Sequence, residues 1–212
     1  SVLRAVLAHP EFAELRNMTA FVRYGHDERI TQELSANCDA RIIWGSDATV
    51  SSIRKVPLPP RALDIAFTDR YSFAILGTQA VSLLDDAALI RLAERFYNDT
   101  YVMDQNACSS PNLIVWLGEP MPRVKDRFWN AVHQVTQKKY PLSAFHAVDK
   151  WTKFCEDAIE CPFASGLKKY ANYVYRVHIQ KLMPDLDRFR GKFGYFYEYD
   201  ARNIEELLPM VN

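Results

Sequence analysis

The apolar positions of the first 55 residues switch repeatedly between helical and strand spacing. Residues 19–24 (TAFVRY) are rich in the β-branched and aromatic side chains typical of strands, and Asp27 is a suitable cap for the helical pattern after them. Alternating helices and strands are typical of a parallel sheet with crossover helices. The pattern predicts, in order, a helix over 2–7, a strand over 19–24, a helix over 28–36, a strand over 41–44 and a helix over 48–55.

The rest of the chain has a mixed pattern. We expect a boundary near residues 77–105, with a pattern typical of a cofactor domain before it and a mixed α/β region after it. Strands are predicted over 63–67, 72–76, 113–117, 173–182 and 193–199. Helices are predicted over 86–101, with Asp85 or Asp86 as the cap, and over 123–139, 143–160 and 204–211.

Glycines follow the first two predicted strands, each just before a helix begins. Gly25 follows the first strand, and Gly45 and Ser46 follow the second. Ligands of open α/β sheets bind beyond the carboxyl ends of the strands, where helix N-termini favour phosphate groups. Ordinary turns use the same residue types, and no Gly-x-Gly-x-x-Gly motif or Lys-Ser/Thr phosphate loop is present. The residues alone therefore favour an ordinary turn over a phosphate site.

Cys108 lies at a predicted helix–turn–strand junction among small residues. Its own amide and the Asn106 side chain are local hydrogen-bond donors for a reaction at the sulfur. However, a free cysteine is among the most buried residue types, so an inert buried thiol is the simpler interpretation of the residues alone. No partner base can be chosen, because the histidines at 26, 133, 146 and 178 are distant in sequence.

Composition excludes some classes of function. The 26 basic and 26 acidic side chains cancel, so charge does not support binding to nucleic acid. No apolar run approaches the roughly 20 residues of a membrane span, and no signal-peptide pattern is present. Four cysteines in 212 residues match neither a disulfide scaffold nor a common metal site. We therefore expect reduced thiols in a cytoplasmic protein.

Five stretches in a fixed order carry a family resemblance. Together they resemble the aldehyde dehydrogenase superfamily and, within it, the LuxC-type fatty acyl-CoA reductases linked to bacterial bioluminescence. The resemblance extends over nearly the whole chain. The stretches are FVRYG (21–25), IIWGSDAT (42–49), DIAFTDRYSF (64–73), FYNDT (96–100) and DQNACSSP (104–111).

The resemblance implies a fold and a reaction. The fold would be aldehyde dehydrogenase-like: residues 1–84 would be the C-terminal part of a Rossmann-type dinucleotide-binding domain, and residues 85–212 the N-terminal part of a mixed α/β catalytic domain. Cys108 would take the acyl group of a long-chain fatty acyl thioester, which NADPH would reduce to the aldehyde. Gly45 and Ser46 would lie at the cofactor pyrophosphate, with Gly25 as the preceding strand-end glycine.

Two positions depart from the superfamily pattern. Phe67 stands where many aldehyde dehydrogenases have a glutamate that activates water for deacylation. Its loss suits an enzyme that does not hydrolyse the thioester. Residues 191–194 (GKFG) resemble the Glu-x-Phe-Gly motif, with Gly191 in place of the glutamate that holds the nicotinamide ribose. The resemblance therefore gives less support for the way the cofactor is positioned.

Other parts of the superfamily pattern have no counterpart here. They include the first cofactor-domain strands, the asparagine oxyanion donor and the C-terminal part. We expect a central fragment that is not a competent reductase alone. A cofactor-independent cysteine acyltransferase and an inert structural domain remain the alternatives. An acyl-protein synthetase or transferase is a further expected partner, as is a second copy of the chain.

Overall fold

The computed structural model describes residues 2–25, 27–161 and 163–210, so His26 lies outside the described residues. Two compact units make up the chain, residues 1–69 and residues 70–212. The helices are α1 (Val2–Leu7), α2 (Ala13–Asn17), α3 (Glu28–Ala36), α4 (Asp47–Arg54), α5 (Thr78–Ser82), α6 (Asp86–Thr100), α7 (Pro122–Lys139) and α8 (Ala144–Glu160). The strands are β1 (Ala40–Trp44), β2 (Leu63–Phe67), β3 (Ser72–Gly77), β4 (Pro111–Leu117), β5 (Ala164–Tyr170), β6 (Val174–Ile179) and β7 (Tyr195–Ala201).

The first unit contains a two-stranded parallel sheet of β1 and β2. Arg41 of β1 holds this unit together. Its guanidinium pairs with Asp64 of β2 at 3.0 Å and donates to the carbonyl oxygens of Ile53 and Val56 at 3.1 and 3.0 Å. An arginine at this position joins the strand pair to the C-terminal end of α4, because its planar fork can serve several acceptors at once.

The strand predicted over residues 19–24 is not formed. Residues 19–25 are irregular, and Phe21 and Val22 are 63% and 67% exposed. β-branched and aromatic composition describes a preference for a half-buried pleated surface, and a strand also needs a ladder partner. Within the described residues, β1 finds that partner in β2.

The second unit contains a five-stranded sheet in the order β3-β4-β7-β6-β5, parallel except for β5, which runs antiparallel to β6. β4 lies inside the sheet and is buried on both faces. Leu113 and Val115 pack into one apolar cluster, and Ile114 and Trp116 pack into the other. This burial explains why the strand is a continuous apolar run.

Residues 70–84 belong to the second unit, whereas the sequence placed a boundary between residues 84 and 85. The reason is pairing: β3 lies beside β4, in register from Phe73↔Leu113 to Gly77↔Leu117. A strand that precedes the predicted boundary is therefore part of the sheet that also contains β7.

Most other elements agree with the sequence; those that differ include one strand and one helix. Strand β5 was not predicted, because Gly166, Lys168 and Lys169 interrupt any apolar alternation in this edge strand. The helix predicted over 204–211 is a 3-10 helix over Ile204–Met210 in the described part of the chain. Pro209 lies within it and has no N–H to donate.

Candidate active site

Cys108 is half-buried in the loop between α6 and β4. Asp104 and Gln105 begin this loop with left-handed backbone angles, φ 53° and 61°. Residues other than glycine rarely adopt this conformation, and it persists only where surrounding contacts enforce it. The loop precedes β4, so Cys108 lies toward the amino ends of the parallel strands.

Gln105 supplies four of those contacts. Its amide nitrogen donates to the carbonyl oxygens of Pro111 and Tyr195 at 3.2 and 2.9 Å, and its amide oxygen accepts from the N–H groups of Gly194 and Tyr195, both at 3.1 Å. The side chain is only 1% exposed. Gln105 therefore joins the cysteine loop to the start of β7 through a fully used amide group.

Asp104 forms a second connection to the same segment. Its carbonyl oxygen accepts from the N–H of Phe193 at 3.2 Å, and its carboxylate accepts from the Tyr140 hydroxyl at 2.5 Å. Burial, and next the Asp104 carboxylate, raise the pKa of Tyr140 above its ordinary value, so the phenol remains a donor.

The backbone on both sides of the cysteine is also bonded. The Ser72 hydroxyl donates to the carbonyl oxygen of Cys108 at 2.7 Å, and the Ser110 hydroxyl donates to that of Asp99 at 2.7 Å. Across the described residues no side chain hydrogen-bonds to the sulfur of Cys108. The loop is fixed while its thiol stays free of protein partners.

Asn106 is exposed, two residues before the cysteine. Its side-chain nitrogen donates to the Asp104 carbonyl oxygen at 3.1 Å. An asparagine amide carries two N–H bonds, so one N–H remains for another acceptor. The structure thus places both predicted donors, the Asn106 amide and the Cys108 backbone, in the same loop.

Two histidines of the second unit, His133 and His146, pack against aromatic rings. His133 on α7 lies against Tyr170 and Tyr173, where burial lowers its pKa. His146 on α8 stacks on Phe193, with ring centroids 4.1 Å apart and planes 8° apart. It therefore supports the turn that Asp104 contacts.

Lys150 on α8 also binds the turn at residues 191–194, through the carbonyl oxygen of Phe193. Its ammonium group donates to the carbonyl oxygens of Asn172, Phe193 and Tyr173 at 2.5, 2.6 and 3.3 Å. Burial, and to a lesser degree Lys169, lower the pKa of Lys150 to about 7. Neither Gln105 nor Lys150 was singled out from the sequence, because all their side-chain partners but Pro111 lie 22 to 90 residues away.

The backbone of this turn needs its glycines. Phe193 and Gly194 have φ of 59° and 88°, and a Cβ on Gly194 would lie 2.2 Å from the carbonyl oxygen of Tyr173. A Cβ on Gly191 would lie 2.0 Å from the Tyr195 ring. Residues 191–194 thus form a tightly packed turn in which larger side chains have no space at either glycine.

In the first unit, Ser46 caps α4. Its hydroxyl oxygen accepts from the Thr49 N–H at 3.3 Å and lies 3.0 Å from the Thr49 hydroxyl. A Cβ on Gly45 would lie 3.0 Å from the Thr49 methyl carbon, so glycine allows the close approach of turn and helix. The predicted strand-to-helix turn is confirmed in shape.

Gly25 borders a groove of about 850 Å³ in the same unit. Side chains of α3 and α4 line it, including Thr31, Thr49 and Ser52. No atom lies within 4 Å of the position a Gly25 Cβ would take, so the backbone there is open to a ligand. The groove therefore joins Gly25 to side chains of α4, whereas Gly45 and Ser46 do not line it.

Phe67 ends β2 opposite Trp44 of β1. Their ring centroids are 5.3 Å apart, and the two side chains are 45% and 75% exposed. The position that the resemblance aligns with the superfamily's glutamate therefore carries an aromatic pair with no titratable group. Among the described residues there is also no cluster of metal-binding side chains, and none of the helices is long and apolar enough to cross a bilayer.

Comparison with solved structures places this architecture among the aldehyde dehydrogenases. A benzaldehyde dehydrogenase from Corynebacterium glutamicum matches with a TM-score of 0.50 and 12% identity, covering 89% of this chain and 43% of that one. An NAD-dependent aldehyde dehydrogenase from Sinorhizobium meliloti matches at 0.52 and 13%, over 86% and 38%. A lactaldehyde dehydrogenase matches at 0.54 and 12%, over 86% and 41%.

These matches show the fold, and the chain spans about two fifths of each dehydrogenase. No curated protein matches the sequence. The family model for the acyl-CoA reductase LuxC matches residues 1–175. The chain therefore belongs to the LuxC family of acyl-CoA reductases, as its motifs indicated.

Proposed function

We propose that this chain forms the cysteine-bearing part of an NADPH-dependent reductase that converts a long-chain fatty acyl thioester to the aldehyde. The observation that carries this proposal is the Cys108 loop: a half-buried thiol to which no side chain of the described residues hydrogen-bonds, on a backbone that distant side chains hold in place. Membership of the acyl-CoA reductase family supports it.

Cys108 is the proposed nucleophile. Its thiolate attacks the thioester carbonyl carbon, the new C–S bond forms, and the original C–S bond breaks as the leaving thiolate takes a proton. The free N–H of Asn106 and the backbone N–H of Cys108 are the proposed donors to the oxyanion. Phe67 offers no base for water, so the acyl group is retained for reduction.

The first unit is the proposed cofactor side. Gly25, Gly45 and Ser46 would hold the phosphates of the nucleotide, because the groove is open at Gly25 and the first amides of α4 lie outside the helix's own bonding. Bound NADPH would supply the hydride that reduces the acyl carbon. We accordingly assign the unit of residues 1–69 to the cofactor domain and the unit of residues 70–212 to the catalytic domain.

The cellular setting follows from the substrate. A fatty acyl thioester is made in the cytoplasm, so we place the protein there, with an acyl-protein synthetase or transferase as the enzyme that delivers the acyl group. A homo-oligomer is part of the same proposal. Acyl transfer to Cys108 is the step that we propose for this chain, and we expect no aldehyde formation by it alone.

Acylation by a long-chain acyl-CoA tests the nucleophile. Intact-mass and peptide spectrometry should find one acyl group, on Cys108, and none in the Cys108→Ser variant. Cys155→Ser, which removes an exposed thiol, should acylate like the wild type. An adduct assigned to another residue, or no adduct, would contradict the proposal.

Calorimetry with NADPH tests the cofactor. We expect binding by the wild type and weaker binding by Ser46→Ala. Acylation of Cys108 without any nucleotide binding would instead support a cofactor-independent acyltransferase. Steady aldehyde production by this chain would overturn the expectation that it stops at the acyl-enzyme.

A further inference from the structure

A second group of reactive side chains lies at the opposite end of the second unit's sheet. His178 and Asp200 lie near the carboxyl ends of the parallel strands β6 and β7, and Ser165 lies on the neighbouring β5. All three line a groove of about 360 Å³. The Cys108 loop enters the sheet at the amino ends, and a seven-residue strand is about 20 Å long, so the two places are separate.

The three side chains are hydrogen-bonded in series. The Ser165 hydroxyl oxygen lies 2.7 Å from Nδ1 of His178, and Nε2 of His178 lies 3.1 Å from Oδ2 of Asp200. The hydroxyl also lies 3.2 Å from the carbonyl oxygen of His178, which is the longer of its two contacts. A nucleophile within reach of a base that a third group orients is the arrangement of an activated serine.

The carboxylate determines which nitrogen of His178 is the base. Burial opposes ionisation of Asp200, but hydrogen bonds from His178 and Lys125 outweigh it and lower the pKa of Asp200. An ionised carboxylate only accepts hydrogen bonds, so Nε2 of His178 must carry the proton. In the neutral ring Nδ1 is then the unprotonated nitrogen, and it faces Ser165.

The backbone presents Ser165 to the groove. Ala164 pairs with Ile179 and Gly166 with His178, so Ser165 is an extra residue in a β-bulge. Bulges re-aim side chains and are common beside active sites. No atom lies within 4 Å of the position that a Cβ on Gly166 would take, which leaves space beside the serine.

We propose that Ser165, His178 and Asp200 form a second nucleophilic site, which cleaves small carboxylic esters independently of Cys108. Lys125, Lys168 and Arg176 line the groove together with Glu198 and Asp200. Each of these cations is ion-paired: Lys125 with Asp200, Lys168 with Asp126, and Arg176 with both Asp126 and Glu198. A lysine ammonium carries three N–H donors, so Lys125 and Lys168 can also donate to the oxyanion of an attacked ester. This polar lining favours acyl groups that are short and polar over long hydrocarbon chains.

The reaction balances without a cofactor. The Ser165 oxygen attacks the ester carbonyl carbon, and its proton passes to Nδ1 of His178. The C–O bond to the alcohol then breaks, and the alcohol takes that proton. Water attacks the acyl-serine by the same route, which releases the carboxylic acid and restores the hydroxyl.

The test uses a fluorophosphonate probe, which labels activated serines, and p-nitrophenyl acetate. Both should be applied to a Cys108→Ala background, so that thiol reactions do not contribute. Peptide spectrometry should place the phosphonate on Ser165. His178→Gln should slow labelling on the order of 100-fold, the usual contribution of a general base. Asp200→Asn should slow it as well, because the ring loses its fixed tautomer.

Ser51→Ala, which removes an exposed hydroxyl in the first unit, is the matched control and should leave labelling and ester hydrolysis unchanged. Circular dichroism identifies any variant that fails to fold. Absence of label from Ser165 in the folded background protein, or equal labelling rates with and without His178, would overturn the proposal. Label on Ser165 in this background, together with no acylation of Cys108 in the wild type, would support this site and reject the proposed reductase nucleophile, so the two proposals fail independently.

Discussion

The loop around Cys108 and the turn at Gly45–Ser46 are held by contacts of very different range. Gln105 bonds to residues 89 and 90 positions later in the chain, whereas Ser46 bonds to Thr49. The first arrangement exists only after a sheet has assembled around it. The second needs one turn of helix. Variants at the two places should therefore differ in how far their effects spread.

Gln105→Ala should have the largest effect. It leaves buried amides and carbonyls of residues 111, 194 and 195 without partners, and each such group costs about 1–3 kcal/mol. Because four such groups lose their partner, we expect the second unit to lose at least about 4 kcal/mol of unfolding free energy in urea, with slower acylation of Cys108. The first unit should be unaffected.

The Gln105→Gly variant distinguishes the contribution of the side-chain hydrogen bonds from the cost of the left-handed backbone. Both variants lose the same four hydrogen bonds, but glycine has no penalty at φ 61°, whereas alanine has about 1 kcal/mol. The glycine variant should therefore be more stable than the alanine variant by about that amount. Equal stabilities would show that the left-handed backbone is not retained without the glutamine.

Lys150 makes the same region sensitive to pH. Its pKa in the folded state is about 7, against about 10.4 in an unfolded chain, so above pH 7 the unfolded state binds more protons. Burial of the charged ammonium group lowers the unfolding free energy in full below pH 7, and this loss becomes smaller as the pH rises above 7. Between pH 7 and 9 this contributes up to about 2 kcal/mol of added stability.

Urea titrations between pH 7 and 9 should show an unfolding free energy that rises with pH in the wild type and does not rise in Lys150→Met. Lys138→Met, which removes an exposed lysine from α7, should retain it. An equal rise in all three proteins would show that another group is responsible.

Ser46→Ala should have the smallest effect, about 1 kcal/mol, the usual cost of losing an N-cap. The loss should be confined to the first unit. Ser143→Ala removes the same kind of cap from α8, where the hydroxyl accepts from the His146 N–H, and should destabilise only the second unit. Hydrogen exchange resolved by peptide measures both; protection lost in both units from either change would contradict the comparison.

The difference between contacts that are short-range and long-range in sequence also explains which features could be predicted. Caps were predicted at Asp27 and at Asp85 or Asp86, and both predictions are confirmed: Asp27 accepts from the N–H of Arg29, and Asp85 accepts from that of Ala88. A local pattern is enough for them because the partner is in the next turn.

Long-range partners could not be predicted in the same way. Residues 19–24 have strand composition without a ladder, and β5 has a ladder without strand composition. The family motifs located Cys108 and its neighbours. They did not indicate that Gln105 and Lys150 bind the turn at residues 193–194, because no spacing within a sequence records a contact made across a sheet.

The parallel pairing of β4 with β7 has a consequence for synthesis of the chain. Cys108 leaves the ribosome some 85 residues before the segment that Gln105 binds, which at about 5–20 residues per second is a delay of roughly 4–17 s. During that interval Gln105 lacks its three hydrogen bonds to residues 194 and 195, and Asp104 lacks its hydrogen bond to Phe193. The Cys108 thiol is therefore at first accessible in a loop without its folded conformation. The loop acquires that conformation only when β7 joins the sheet.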